Sequence, residues 1–190
     1  MRLAYLELGF EHILDINGID HILFIIALCA IYLITDWKKI LVLITAFTVG
    51  HSITLALATY DLVKITSSII EPLIPLTIMA TCVYNILSLN YKNKSKITLS
   101  YILAIGFGLI HGMGFSYLLK NLLGKEESIF VPLLSFNIGL EIGQLIIVST
   151  ILFASYIIIN LLKISQKWYI ISLSVLIFFY ASYLLFLSVN

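Results

Sequence analysis

Charged side chains are scarce in this sequence. Of its 190 residues only 11% are charged, whereas 61% are hydrophobic, and a soluble domain of this size needs far more charge to cover its surface. No tract of lysine and arginine is dense enough to bind nucleic acid, and the net charge is only +1. The composition therefore excludes a soluble globular domain and a nucleic-acid-binding protein.

Cysteine is also scarce, and the N-terminus lacks the pattern of a cleaved signal peptide. The two cysteines, Cys29 and Cys82, both lie in the middle of apolar segments, where a thiol is usually a small packing residue. The first twelve residues contain no positive region followed by an apolar run. We therefore expect neither a disulfide nor a cleaved leader.

What the sequence has instead is a series of long apolar segments separated by short polar breaks. Runs of about 18 or more apolar residues are long enough to cross the hydrocarbon core of a bilayer. The predicted spans are Asp20–Ile34, Ile40–Tyr60, Ile69–Leu89, Thr98–Leu118, Phe130–Leu162 and Trp168–Val189. We predict an all-α, polytopic transmembrane helical bundle of about six spans in the lipid bilayer, with residues 1–190 as a single domain.

The segment before the first span has a different pattern. Residues 1–18 mix apolar residues such as Leu6 and Phe10 with acidic ones such as Glu7 and Glu11. This predicts an amphipathic segment that lies in the membrane interface or is re-entrant. The pair Asn17-Gly18 predicts a turn just before the first span.

Lysine and arginine indicate the orientation. The first, third and fifth loops form what we call the lysine-rich face; they hold Lys38, Lys39, Lys92, Lys94, Lys96, Lys163 and Lys167. The opposite, lysine-poor face holds Arg2, Lys64, Lys120 and Lys125. With seven positive charges against four, the positive-inside rule predicts that both termini are extracytoplasmic.

Six ionisable residues lie within the predicted spans, where burial is expensive and such groups usually mark a site. They are Asp20, His21, His51, Glu71, His111 and Glu141, and the remaining histidine of the chain, His12, lies just ahead of them. On a helical rise of about 1.5 Å per residue, all six fall in the half of the bilayer next to the lysine-poor face. Imidazole and carboxylate groups suit nickel, cobalt, zinc or copper. The pattern predicts one or two divalent transition metals bound by these seven residues.

Several neighbouring residues favour close packing around these groups. Gly108 and Gly112, beside His111, are spaced to let helices approach closely. Asn137, Glu141 and Gln144 share one face of the fifth span, and we expect this face to turn toward the bundle interior. Phe47-x3-His51 also matches Phe107-x3-His111, which either a duplicated helical hairpin or chance would explain.

Most of these ionisable residues also have a plain structural interpretation. A single histidine in a span can simply bond a neighbouring carbonyl group. Glu71 before Pro72 can start a helix, and Asp20 can cap one. Glu141 is deep in a span and has no capping role to explain it.

Five stretches of the chain, in order, resemble the HupE/UreJ family of bacterial membrane proteins. They are GFEHILDINGIDHILFIIAL, TAFTVGHSITLALA, IIEPLIPLTI, FGLIHGMGFSYLL and FNIGLEIGQL. The resemblance implies a six-span, permease-like protein of the bacterial inner membrane associated with nickel or cobalt uptake, with His12, Asp20, His21, His51, Glu71, His111 and Glu141 at the family's histidine and acidic positions. Better-known nickel/cobalt permeases have a pattern resembling His-x4-Asp-His in an early span, whereas this chain has His-x7-Asp-His.

Three functions remain open at this point. The first is a permease for a divalent transition metal. The second is an intramembrane metal-dependent hydrolase or transferase acting on a lipid or membrane-anchored substrate, with a glutamate as general base. The third is an assembly partner in which a metal only holds helices together. Whether the chain is an enzyme is undecided by the sequence.

Overall fold

A computed structural model of the protein describes residues 2–16, 18–63, 65–89, 95–123 and 129–189. Its helices are α1 (Arg2–Leu14), α2 (Ile19–Cys29), α3 (Trp37–Thr59), α4 (Ser67–Ser88), α5 (Ser95–Leu123), α6 (Phe130–Tyr156) and α7 (Gln166–Val189). A 3-10 turn, Ile34–Asp36, precedes α3, and a π-helical turn, Ile157–Leu161, extends α6. The predicted turn at Asn17 and several loop lysines lie outside the described residues.

Five of these helices are long and apolar enough to cross a membrane. A sixth span is obtained when α1 and α2 are taken together as one broken span or a re-entrant pair, with a bend of 67° between them. This confirms the predicted all-α, polytopic bundle, and the chain is a multi-pass membrane protein. The bend matters most for function, because residues on either side of it face the middle of the bundle.

Glycines bring α3 and α5 into backbone contact. A Cβ on Gly50 would lie 2.6 Å from the carbonyl oxygen of Ile105, and one on Gly108 would overlap the carbonyl oxygen of Phe47. Farther along, a Cβ on Gly112 would overlap the carbonyl oxygen of His51. Residue numbers rise together along both helices, so α3 and α5 run parallel. Small residues at the contact are what permits this approach in lipid.

The same kind of contact joins α1 to α6. A Cβ on Gly9 would overlap the carbonyl oxygen of Phe136, and one on Gly139 would overlap that of Leu6. Here too the residue numbers rise together, so α1 runs parallel to α6. The N-terminal segment, which we predicted to be interfacial or re-entrant, thus packs along a long membrane helix over most of its length.

The remaining core is apolar and lies between these two pairs and α2. Phe24 of α2 stacks on Phe107 of α5, with ring centroids 3.5 Å apart and an interplanar angle of 5°. Asn85 of α4 donates to the carbonyl oxygen of Ala27 at 2.7 Å, which ties α4 to α2. Helices α4 and α7 pack against each other beside this core. Together these contacts hold the ends of α1 and α2 in fixed positions against α3 and α5.

Candidate metal centre

The break between α1 and α2 places three ionisable residues at the centre of the bundle. His12 lies in the last turn of α1, and Asp20 and His21 lie in the first turn of α2. A helix that stops and restarts within the bundle turns both ends inward, where His51 of α3 and His111 of α5 also point. Five residues from four separate helices therefore meet at one place.

The imidazole rings are in direct contact. Ring centroids lie 4.6 Å apart for His12 and His21, 4.2 Å for His21 and His111, and 6.0 Å for His12 and His51. The carboxylate of Asp20 lies 2.9 Å from Nε2 of His111 and 3.2 Å from Nδ1 of His21. All four histidines of the chain are thus in one cluster with a single aspartate, which we call the histidine cluster.

Two groups within the histidine cluster have the donor arrangement of a metal site. The ligand atoms of His12, His21 and His51 lie within 4.8 Å of one another, and so do those of Asp20, His21 and His111. His21 belongs to both groups. Metal bonds of about 2.0–2.2 Å to nitrogen and oxygen require somewhat closer donors, which small side-chain rotations can supply.

The ring nitrogens support this interpretation because so many lack a partner. Nε2 of His12, Nε2 of His21 and both ring nitrogens of His51 are buried with no hydrogen-bond partner among the described residues. Leaving a buried polar atom unsatisfied costs about 1–3 kcal/mol. Four such nitrogens beside each other are hard to explain as packing between helices, whereas a bound cation would satisfy one nitrogen of each of the three rings.

Aromatic rings enclose the cluster, and these we did not predict. Phe107 stacks on His111 with centroids 4.0 Å apart, Phe115 lies 4.0 Å from His12, and Phe136 lies 6.0 Å from His51. The sequence contained a signal for one of them, since Phe107 is four residues before His111 and shares its helix face. Apolar walls exclude competing water and limit the directions in which the imidazoles can turn.

A cavity of about 260 Å³ connects the histidine cluster with the lysine-poor side of the bundle. His12, Asp20, His21 and His111 line its inner part. Its outer part includes three exposed polar residues: Asp15, Ser67 in the first turn of α4, and Glu71. Glu71 therefore lies at the mouth of the cavity and belongs to neither group of metal donors.

Glu141 has a different position from the other predicted site residues. Its Oε1 accepts a hydrogen bond of 2.9 Å from Thr45 on the outer surface of the bundle. One turn on, Gln144 is buried, and its Oε1 lies 3.0 Å from the hydroxyl oxygen of Thr48. The structure brings together five of the seven predicted residues, places Glu71 nearby, and does not bring Glu141 to the histidine cluster.

A comparison with protein families gives one result. The family model described as HupE / UreJ protein matches residues 1–188, which is nearly the whole chain. No curated protein and no solved structure matches the chain.

Proposed function

The chain belongs to the HupE/UreJ family, and from that premise we propose that it is a permease for a divalent transition metal of the nickel and cobalt type. The observation that carries the proposal is the histidine cluster at the end of a cavity inside a membrane bundle. Ionisable groups at such a position usually mark the path of an ion. The metal is the substrate, and nickel, cobalt, zinc and copper all suit these donors.

The ligands in this proposal are the five residues that meet. His12, His21 and His51 form an all-nitrogen group, and Asp20, His21 and His111 form a mixed group. His21 belongs to both groups and therefore links them. Asp20 supplies a negative charge that offsets part of the charge of the cation. Glu141 is left out of the ligand set, because it is bonded to Thr45 elsewhere.

The cavity supplies the path to this site. Exposed Asp15 and Glu71 at its mouth attract a divalent cation before it loses its water. The positive-inside rule predicts that this mouth and both termini lie outside the cytoplasm, and the membrane we propose is the bacterial inner membrane. The direction of transport is then uptake.

Two carboxylates within spans allow a matched test. Asp20→Asn removes a charge from the histidine cluster, whereas Glu141→Gln removes one from a helix surface away from it. Each variant is purified in detergent, and bound nickel, cobalt, zinc and copper are measured by mass spectrometry. We expect metal in the wild type and in Glu141→Gln, and a loss of at least tenfold in Asp20→Asn, on the scale of about 10–100-fold seen for supporting groups in metal sites.

Cellular metal content completes this test. Cells that express the wild type should accumulate the metal, and cells that express a well-folded Asp20→Asn variant should not. Equal metal binding in Asp20→Asn and Glu141→Gln would contradict the assigned ligand set. Metal binding without any change in cellular content would leave a metal site but reject the permease.

One observation favours a second candidate, an intramembrane hydrolase. A cavity of about 390 Å³ lies between α2, α4 and α7 and is lined by Asp20 and Glu71 together with apolar residues such as Leu184 and Leu187. A lipid tail can reach the carboxylates from the side through such an opening. Glu71 would be the general base and a metal-bound water the nucleophile. An enzyme of this type would leave cellular metal unchanged, and Glu71→Gln would abolish turnover while metal stays bound.

A further inference from the structure

The two glycine-mediated helix pairs have the same contacts, position for position. In the pair α3–α5, Gly50 faces Ile105 and Leu109, and Gly108 faces Phe47 and His51. In the pair α1–α6, Gly139 faces Leu6 and Phe10, and Gly9 faces Phe136 and Leu140. Every glycine touches the residue three before and the residue one after the glycine of its partner helix. Because the relation is the same for both helices of a pair, the contacts allow α1 to correspond to α5 and α3 to α6.

The sequence around these glycines repeats in the same way. Phe47-x-Val49-Gly50-x2-Ile53 in α3 matches Phe136-x-Ile138-Gly139-x2-Ile142 in α6. Gly9-x2-His12 in α1 matches Gly108-x2-His111 in α5, 99 positions later. Two histidines of the cluster therefore occupy equivalent positions. This relation differs from the hairpin duplication suggested by Phe47-x3-His51 and Phe107-x3-His111, because α3 corresponds to α6 and not to α5.

The third helices fit the same scheme. If the first and second spans correspond to the fourth and fifth, then α4 corresponds to α7, and these two helices pack against each other. Three of the seven buried residues of α4, Pro75, Ile78 and Cys82, lie 99 positions before three of the four buried residues of α7, Ser174, Ile177 and Ala181. Since each half has three spans, the second half lies in the membrane upside down relative to the first. Inverted repeats of this kind are common in transporters, with the substrate site at their boundary.

The two halves of the chain differ in whether the first turns of their third helix are open to a face of the membrane. The first turns of α4 line the cavity at the lysine-poor face, where Ser67 and Glu71 are exposed. The corresponding residues of α7, Gln166 and Ile170, are closed against the bundle. Nε2 of Gln166 lies 3.5 Å from the carbonyl oxygen of Ile31, and Ile170 is buried. Below them Ser174 is fully buried, and its hydroxyl has no hydrogen-bond partner among the described residues.

We infer that residues up to Leu89 and residues from Ser95 onward form an inverted repeat, and that the first turns of α7 form the second mouth of the path, which opens on the lysine-rich face. This inference rests on the proposed transport function. We expect a second conformation of the protein, the second state, in which the path is open on the lysine-rich face. In it each half adopts the conformation that the other half has in the present structure. Gln166 then leaves Ile31, and the buried hydroxyl of Ser174 meets water and the departing cation.

When the two halves exchange conformations, α5 must bend as α1 and α2 do now, and it has a glycine at the point of that bend. The break between α1 and α2 begins at Asp15, three residues after His12, and its equivalent in α5 is Gly114, three residues after His111. A Cβ at Gly114 would make only ordinary contacts, 3.6 Å from Ile70 and 3.9 Å from Ile74. Glycine within a helix is less stable than alanine, and these contacts do not require a glycine, although Gly114 also lines the cavity of about 260 Å³. A helix that must bend at this position in the second state has a further use for it.

Thiol labelling tests this inference with a readout other than transport, and metal uptake is measured beside it. In a chain whose two native cysteines are replaced by alanine, Ser174→Cys is labelled in membrane vesicles with a membrane-impermeant maleimide added on the lysine-rich side. The matched control is Ser155→Cys, a serine at the end of α6 that is also buried. We expect labelling of Ser174→Cys to change at least threefold when nickel or cobalt is added, and Ser155→Cys to stay unlabelled.

Two glycine variants sharpen the test. Gly114→Ala stiffens α5 at the predicted bend, whereas Gly106→Ala adds the same methyl group where nothing lies within 4 Å and no bend is expected. Labelling of Ser174→Cys should fall at least tenfold in Gly114→Ala and stay unchanged in Gly106→Ala. Equal labelling in the two glycine variants, or metal uptake with Ser174→Cys never labelled, would overturn the second mouth. If labelling of Ser174→Cys changes as expected but no metal is taken up, the permease function is rejected and the inverted repeat is kept.

Discussion

The two helix pairs that meet at the histidine cluster, α1–α6 and α3–α5, share their backbone contacts but differ in chemistry. The pair α3–α5 contributes a histidine from each helix, whereas in α1–α6 only α1 does, and Leu140 occupies the position that His51 has in α3. The backbone arrangement is thus set by glycines and is independent of the ligands. A scaffold of this kind can keep its shape while the metal-binding residues on it change.

The largest effect is expected from glycines at the helix contacts. In Gly108→Ala and Gly139→Ala the new Cβ overlaps a backbone carbonyl oxygen, of Phe47 and of Leu6, and backbone cannot move aside easily. Each variant should lose about 1–3 kcal/mol or more of stability, measured by thermal melting in detergent. Gly106→Ala is the control and should be neutral or slightly stabilising. If only Gly108→Ala were harmful, α1 would not be packed on α6 as described, and the likeness of the two pairs would be lost.

The next effect concerns the two equivalent histidines. His12→Gln and His111→Gln each remove one imidazole from a different group of donors. We expect each to weaken metal binding at least about tenfold, measured by competition with a coloured chelator. His21→Gln should be the most severe of the three, because His21 belongs to both groups. An unchanged affinity in His12→Gln would restrict the site to Asp20, His21 and His111.

The smallest effect is expected where the two helix pairs touch each other. Thr48 of α3 bonds the buried Gln144 of α6, and Thr48→Val should cost about 0.6 kcal/mol and at most about 1.7 kcal/mol. Thr150→Val is the control, because among the described residues that hydroxyl bonds the carbonyl oxygen of Ile146 in its own helix and no other helix. It should stay within about 0.5 kcal/mol of the wild type. Equal melting temperatures for the two variants would show that the Thr48–Gln144 hydrogen bond adds no stability to the contact between the two helix pairs.

Most of the fold could be predicted from the sequence, because the length of an apolar segment decides whether it can span a bilayer. The N-terminal segment could not be placed, since its packing on α6 depends on Gly9 and Gly139 meeting across 130 residues of chain. Local patterns of polarity carry no information about such a partner. The start of α4 was also misjudged: the helix begins at Ser67, so Glu71 and Pro72 lie in its second turn and do not start it.

The candidate site was predictable in its donors and not in its geometry. Histidines within spans are rare enough to be noticed, and all four meet. The carboxylates were harder to judge, because depth along a helix does not say which way a side chain points. Asp20, in the first turn of α2, turns to His111, whereas Glu141, in the middle of α6, turns to Thr45. Gln144, predicted to share the inward face of Glu141, is fully buried, while Glu141 is only partly so.

The inverted halves also have a consequence for how such a protein can arise and insert. A three-span ancestor that pairs with an upside-down copy of itself must enter the membrane in both directions, which requires a nearly even distribution of positive charge. The first half still has this property, with Lys38 and Lys39 on one face and Arg2 and Lys64 on the other. The second half has three positive residues on the lysine-rich face against two, and the segment that connects the halves adds Lys92 and Lys94 to that face. After gene duplication, the connecting segment and the second half together would fix the direction in which the fused chain is inserted.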